Sequence, residues 1–86
     1  MNPVAYRDVA VAFGAVLKTA RAGAGLTQEK LAELADMDRT YPSLLERGRR
    51  EPGLGVVIRL GEALQVDPVL LVRMTLWRLN GLKTPE

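Results

Sequence analysis

The side chains able to do chemistry gather in one short segment. Arg39, Arg47, Arg49 and Arg50 lie there with the hydroxyls of Thr40, Tyr41 and Ser43, and the segment also holds Glu46. A guanidinium offers a fork of donors that fits a phosphate or a base edge, and a hydroxyl adds a single hydrogen bond. None of these groups is a nucleophile with a base beside it. The chain has no Cys and no His, which removes the thiol nucleophile, the disulfide, the cysteine or histidine metal site and the commonest general base. Asp36 and Asp38 are better explained by turn and cap chemistry than by acid–base work. The residues therefore point to binding: no catalytic residue, metal, cofactor or small-molecule ligand is expected, and the chain is not read as an enzyme.

The elements that must position these groups follow from the stretch between Thr27 and Gly48. Thr27 can cap a helix, because its hydroxyl accepts from an early backbone N–H. That helix is predicted over Gln28 to Ala35, with Leu31, Leu34 and Ala35 on the apolar spacing. Asp36-Met37-Asp38 breaks the pattern, with Met37 as a buried plug and Asp38 as the next cap. A second helix is predicted over Arg39 to Arg47. It buries Leu45 and turns Arg39, Thr40, Ser43 and Leu44 outward, and Gly48 tolerates the left-handed backbone at its end. Two short helices at a steep angle, one showing Arg, Thr and Ser, suit a major groove.

These residues closely resemble the helix-turn-helix of the phage Cro and repressor family, also called the XRE family. The segment DRTYPSLLERGRREP is similar to the family's recognition-helix pattern, and the resemblance runs from about Phe13 to Val72. It implies an all-α, five-helix, lambda-repressor-like domain that binds duplex DNA. The compact size and the Asp-Arg-Thr-Tyr start also resemble controller proteins of restriction–modification systems.

The resemblance implies a role for each exposed side chain. Gln28 would bond a phosphate and brace the recognition helix, while Arg39 and Thr40 would read base edges, Arg toward guanine and Thr by its methyl toward thymine. Tyr41 and Ser43 would reach phosphates, as would Arg47, Arg49 and Arg50. Leu44 would touch a thymine methyl or pack against the neighbouring helix, and both remain open. Arg21 matches an Arg that pairs with the carboxylate here at Glu46, clamping the first helix to the third. Pro42 departs from the pattern, where Ile or Val is usual. At the fourth residue of the expected helix it removes the first helical hydrogen bond, so a distorted start that shifts Arg39 and Thr40 is expected.

Around this core the chain reads as one domain over residues 1–86. Met1 to Ala5 and Asn80 to Glu86 are expected to fray. Arg7 to Ala22 is predicted helical, with Val9, Phe13, Val16, Leu17 and Ala20 on one stripe, and Ala22-Gly23-Ala24-Gly25 as a flexible connector. A secretory leader is the competing reading of Val9 to Ala22, but the apolar run is short and Lys18 follows it directly. A cytoplasmic protein without a membrane partner is expected. A fourth helix should start near Leu54, burying Val57, Ile58, Leu60, Ala63 and Leu64, and soft at its start because Gly53 stands where a Ser or Thr cap is usual. Gly61 would permit close helix approach.

Asp67-Pro68 starts a fifth helix running to about Leu79, with more apolar residues than one buried face needs. Val69, Leu70, Met74 and Trp77 are expected at a homodimer seam; packing of Trp77 on Tyr6 or Val9 is the alternative. The formal charge of +2 is too small to identify a nucleic-acid partner, whereas the clustering of arginines after a capped helix-turn-helix fits a groove binder. The expected function is sequence-specific binding of double-stranded DNA, at an inverted repeat, by a homodimeric transcriptional regulator. The rivals are an antitoxin of a toxin–antitoxin pair and a protein-interaction module of the same fold.

Overall fold

The structure, a computed structural model, describes residues 6–81, and the side chains of Tyr6 and Arg7 are outside that description. The expectations for residues 1–5 and 82–86, and for a contact between Trp77 and the Tyr6 ring, fall outside the described residues. Among the described residues five helices follow one another: α1 (Tyr6–Gly23), α2 (Gln28–Leu34), α3 (Tyr41–Glu46), α4 (Leu54–Leu64) and α5 (Pro68–Leu79). Among the described residues there is no strand. The fold is all-α, as the sequence predicts.

The first four helices end in the same way. The N–H five residues on returns to a last-turn carbonyl: Leu26 to Arg21, Met37 to Ala32, Arg49 to Leu44 and Val66 to Gly61, at 2.9–3.2 Å. Each such closure needs one left-handed residue, supplied by Gly25, Asp36, Gln65 and Gly48, with φ between 54° and 71°. The connector before α2 is thus a hydrogen-bonded turn. The starts are capped locally. The Thr27 hydroxyl accepts from the Lys30 N–H, and Asp67 accepts from Val69 N–H ahead of Pro68. Gly53 gives α4 no side-chain cap.

The core draws on every helix. Phe13, Val16 and Leu17 of α1 meet Leu31, Ala35, Leu45, Val57, Leu60, Leu64 and Leu71, with Met37 half-buried against them. Two expected core residues lie outside. Leu34 is 50% exposed and Ile58 44% exposed, while Ala32 and Val56 turn inward or partly inward. The helical period places Leu31, Ala32 and Ala35 on one arc with Leu34 past its edge, and Val57, Leu60, Gly61 and Leu64 on another with Ile58 past its edge. Gly61 does allow close approach, since a Cβ there would lie 2.6 Å from the Pro68 ring.

α1 packs most extensively on α5. Leu71 and Thr75 are the buried residues of α5, and the Thr75 hydroxyl is satisfied by donating to the Leu71 carbonyl at 2.8 Å. Val69, Leu70, Val72 and Leu76 are exposed. Met74 instead packs partly against the core and Trp77 is half-buried, so the outer face differs from the seam the sequence suggested. Among the described residues no single helix is long and apolar enough to cross a membrane. α1 and α2 pass that test only as a pair bent by 94°, and Leu17 and Leu31 in them are core residues.

Candidate nucleic-acid interface

α3 is short and its position is set by what holds each end. At the C-terminal end, Glu46 has a side chain only 3% exposed, and Arg21 of α1, 16% exposed, reaches it. Arg21 Nε donates to Glu46 Oε2 at 2.6 Å and Nη2 to Oε1 at 3.0 Å, a two-pronged pairing that fits the planar guanidinium. Nη1 donates to the Leu26 carbonyl at 2.8 Å. The hydrogen bond to Glu46 holds the Arg21 proton more tightly than usual. Gln28 Nε2 donates to the same Glu46 Oε1 at 3.0 Å, so the first residue of α2 joins the clamp. The expected ion pair is present, and the bracing expected of Gln28 takes this form.

Two glycines let the backbones come close enough for that clamp. A Cβ on Gly14 of α1 would lie 2.3 Å from the Leu45 carbonyl oxygen and 2.8 Å from that of Glu46. A Cβ on Gly48 would lie 2.9 Å from the Val11 side chain, at a φ of 69° that disfavours side chains in any case. The sequence reading identified Gly48 and missed Gly14. A glycine inside an otherwise apolar helical stripe was the available signal.

At its other end α3 is shorter than the predicted span of 39–47, and the distorted start expected from Pro42 is present. The helix begins at Tyr41 and ends at Glu46, so Arg39 and Thr40 stand in a turn ahead of it and Arg47 is its C-cap. Pro42 is the cause. It lacks an N–H to bond the residue-38 carbonyl, and its ring would clash with that carbonyl if the helix continued upstream. At the second helical position the missing N–H costs nothing. Pro42 is also among the fully buried side chains, a core role the sequence reading did not assign.

The turn closes through Tyr41 N–H to the Asp38 carbonyl at 3.0 Å. Asp38 Oδ1 accepts the Thr40 N–H at 2.8 Å and the Thr40 hydroxyl at 2.5 Å. These two bonds hold the exposed Asp38 carboxyl below the usual carboxylate range. Asp38 therefore caps the lead-in turn, not α3 itself. Across the preceding linker, Arg59 of α4 donates to the Asp36 carbonyl at 3.0 Å, a brace with no signature in sequence.

Between α2 and α3 lies a shallow concave surface lined by Gln28, Glu29, Arg39, Thr40, Ser43, Leu44 and Arg47. Six of these seven were named from sequence; Glu29 was not. Leu44 is half-buried, and Tyr41 is half-buried with its ring against the core. Arg49 and Arg50 are exposed beyond the C-terminal end of α3 and do not line the surface. Arg39, Arg47, Arg49 and Arg50 are all exposed, and among the described residues the ion pairs are Arg21–Glu46 and Lys30–Glu33 alone. Arg47 Nε makes a long 3.3 Å bond to the Ser43 carbonyl. No cluster of acidic residues able to hold a metal occurs among the described residues.

A family profile described as "Helix-turn-helix domain" matches residues 12–74. The control protein C.BamHI of Bacillus amyloliquefaciens is 35% identical over 69 residues, covering 79% of this chain and 85% of that protein. The HTH-type transcriptional regulator YqaF of Bacillus subtilis is 39% identical over 51 residues, 59% of this chain and 67% of that one. Among solved structures, the restriction–modification controller protein C.AhdI of Aeromonas hydrophila superposes with a TM-score of 0.70 at 40% identity, over 72% of this chain and 94% of that chain. The clp gene regulator ClgR of Corynebacterium glutamicum gives 0.77 at 28% identity, over 90% and 95%.

Proposed function

The chain belongs to the helix-turn-helix family of DNA-binding transcriptional regulators, and from that premise we propose that it binds a specific duplex site as a homodimer, with α3 in the major groove. The observation that carries this reading is the gathering of Gln28, Arg39, Thr40, Ser43, Leu44 and Arg47 on one concave surface, with Arg39, Arg47, Arg49 and Arg50 free of carboxylate partners among the described residues. Arg39 and Thr40, in the turn ahead of α3, are the base readers. Tyr41, Ser43, Arg47, Arg49 and Arg50 contact phosphates and fix the register. Gln28 does the same from the start of α2, using what its bond to Glu46 leaves free.

The dimer uses the outer face of α5. Val69, Leu70, Val72 and Leu76 are exposed there beside half-exposed Trp77, and an apolar face of this kind on a small domain marks an interface. A two-fold dimer reads an inverted repeat with half-sites about 34–36 Å apart or a multiple of that. Regulation then works by occupancy, and relatives named as control proteins make a restriction–modification setting the leading context. The cytoplasmic location expected from the sequence goes with this reading.

Selection of bound duplexes from a random library near physiological salt tests it. Enrichment of an inverted repeat is expected, with log affinity falling against log salt by roughly 0.9 per neutralised phosphate. A single half-site would remove the α5 dimer. No enrichment together with a shallow salt dependence would overturn DNA readout and favour a protein partner on α5.

A further inference from the structure

The turn ahead of α3 does more than place Thr40. We propose that Asp38 is a specificity-determining positioning residue: by accepting both the N–H and the hydroxyl of Thr40, it makes Thr40 a reader of thymine through its methyl group. The inference rests on the proposed DNA-binding function and goes beyond it in naming how one base reader is set.

A threonine hydroxyl has one proton to donate, and here that proton is directed to Asp38 Oδ1 at 2.5 Å. A hydrogen bond to a carboxylate is shorter and roughly twice as strong as one between neutral groups. A base acceptor approaching from the groove would have to displace it. The same oxygen also takes the Thr40 N–H at 2.8 Å, so backbone and side chain are fixed together. A threonine side chain sits in staggered wells, and fixing the direction of Oγ1 also fixes that of the methyl.

The consequence for readout comes from the base edges. Guanine offers N7 and O6 as acceptors, and thymine offers O4 as an acceptor next to its C5 methyl. A side chain with its donor committed cannot bond any of these acceptors, but its methyl can pack on the thymine methyl. Thr40 lines the concave surface together with Arg39, which brings guanidinium donors, and Leu44, another apolar group. The surface therefore joins a donor to an apolar step, which fits a guanine beside a thymine. Asp38 also excludes the alternative in which Thr40 donates to the guanine that Arg39 would grip.

The test uses the full chain and the preferred duplex found by selection, with each thymine replaced singly by deoxyuridine, which lacks only the methyl. One thymine per half-site should be sensitive, its replacement weakening wild-type binding roughly fourfold, the worth of one buried methyl-sized group. Thr40→Ser loses the methyl and should bind the two duplexes equally. Asp38→Ala should bring the ratio toward one, and Asp38→Asn, whose amide oxygen still accepts, should keep it. Equal sensitivity in Thr40→Ser and wild type, full retention in Asp38→Ala, or no sensitive thymine in an otherwise specific site would each overturn the proposal. Failure of the function itself would look different, because wild type would then have no preferred duplex.

Discussion

At its C-terminal end α3 is fastened to other elements: Glu46 to Arg21 of α1 and Gln28 of α2, and its last carbonyls against Gly14. At its N-terminal end the bonds are local, running from Asp38 to residues two and three positions on. The Glu46 side chain at the first end is nearly closed to solvent, whereas Asp38, Arg39 and Thr40 ahead of the second are exposed. The difference separates two tasks. Long-range bonds set where the helix points, and changes there should register in folding. Short-range bonds set which atoms Arg39 and Thr40 present, and changes there should register in recognition.

The largest expected effect lies at the fastened end. Gly14→Ala forces a Cβ into backbone oxygens that cannot swing aside, and should lower stability by about 3 kcal/mol or more in thermal or urea unfolding. A small loss would mean that α1 and α3 can separate cheaply. Glu46→Ala leaves the Arg21 charge mostly buried without its partner and should cost about 2–3 kcal/mol, DNA absent. An unchanged melting temperature would remove the clamp from the account.

Arg39→Ala belongs to the other end. It should weaken binding to the preferred duplex by about 1–3 kcal/mol, with non-specific binding and melting temperature unchanged. Equal losses on both duplexes would mean that Arg39 contacts phosphate, and the division of labour would blur. The smallest effect is acid sensitivity of the lead-in turn. The Asp38 carboxyl is lowered by its bonds to Thr40, so its contribution is present above the ordinary carboxylate range, roughly pH 4, and fades as pH falls through its folded value. The melting difference between wild type and Asp38→Ala should therefore be constant near neutrality and shrink in acid. A difference growing in acid would contradict the turn geometry.

The same division explains what could be read in advance. Thr27 and Asp67-Pro68 announced helix starts, and Gly48 an end, because caps and left-handed turns depend on residues within one turn of chain. Asp36 and Gln65 make the same left-handed turn without glycine, so those ends carried a weaker signal. The residues proposed to face the groove came from the family resemblance, and of them Gln28, Arg39, Thr40, Ser43, Leu44 and Arg47 share one surface.

By itself, then, the sequence determined five helices, their order, the helix-turn-helix stretch and the absence of Cys and His chemistry, all matters of local propensity and composition. Tertiary structure decided the rest. Leu34 and Ile58 are apolar yet exposed because each lies just beyond the arc its neighbours bury. Gly14 is required because another helix's carbonyls pass over it, and Arg59 bonds Asp36 because folding brings α4 to that turn. Pro42 shortened α3 locally, but its burial depended on the assembled core. Which face of a helix is covered, and how closely, depends on partners remote in sequence, and periodicity alone cannot supply their positions.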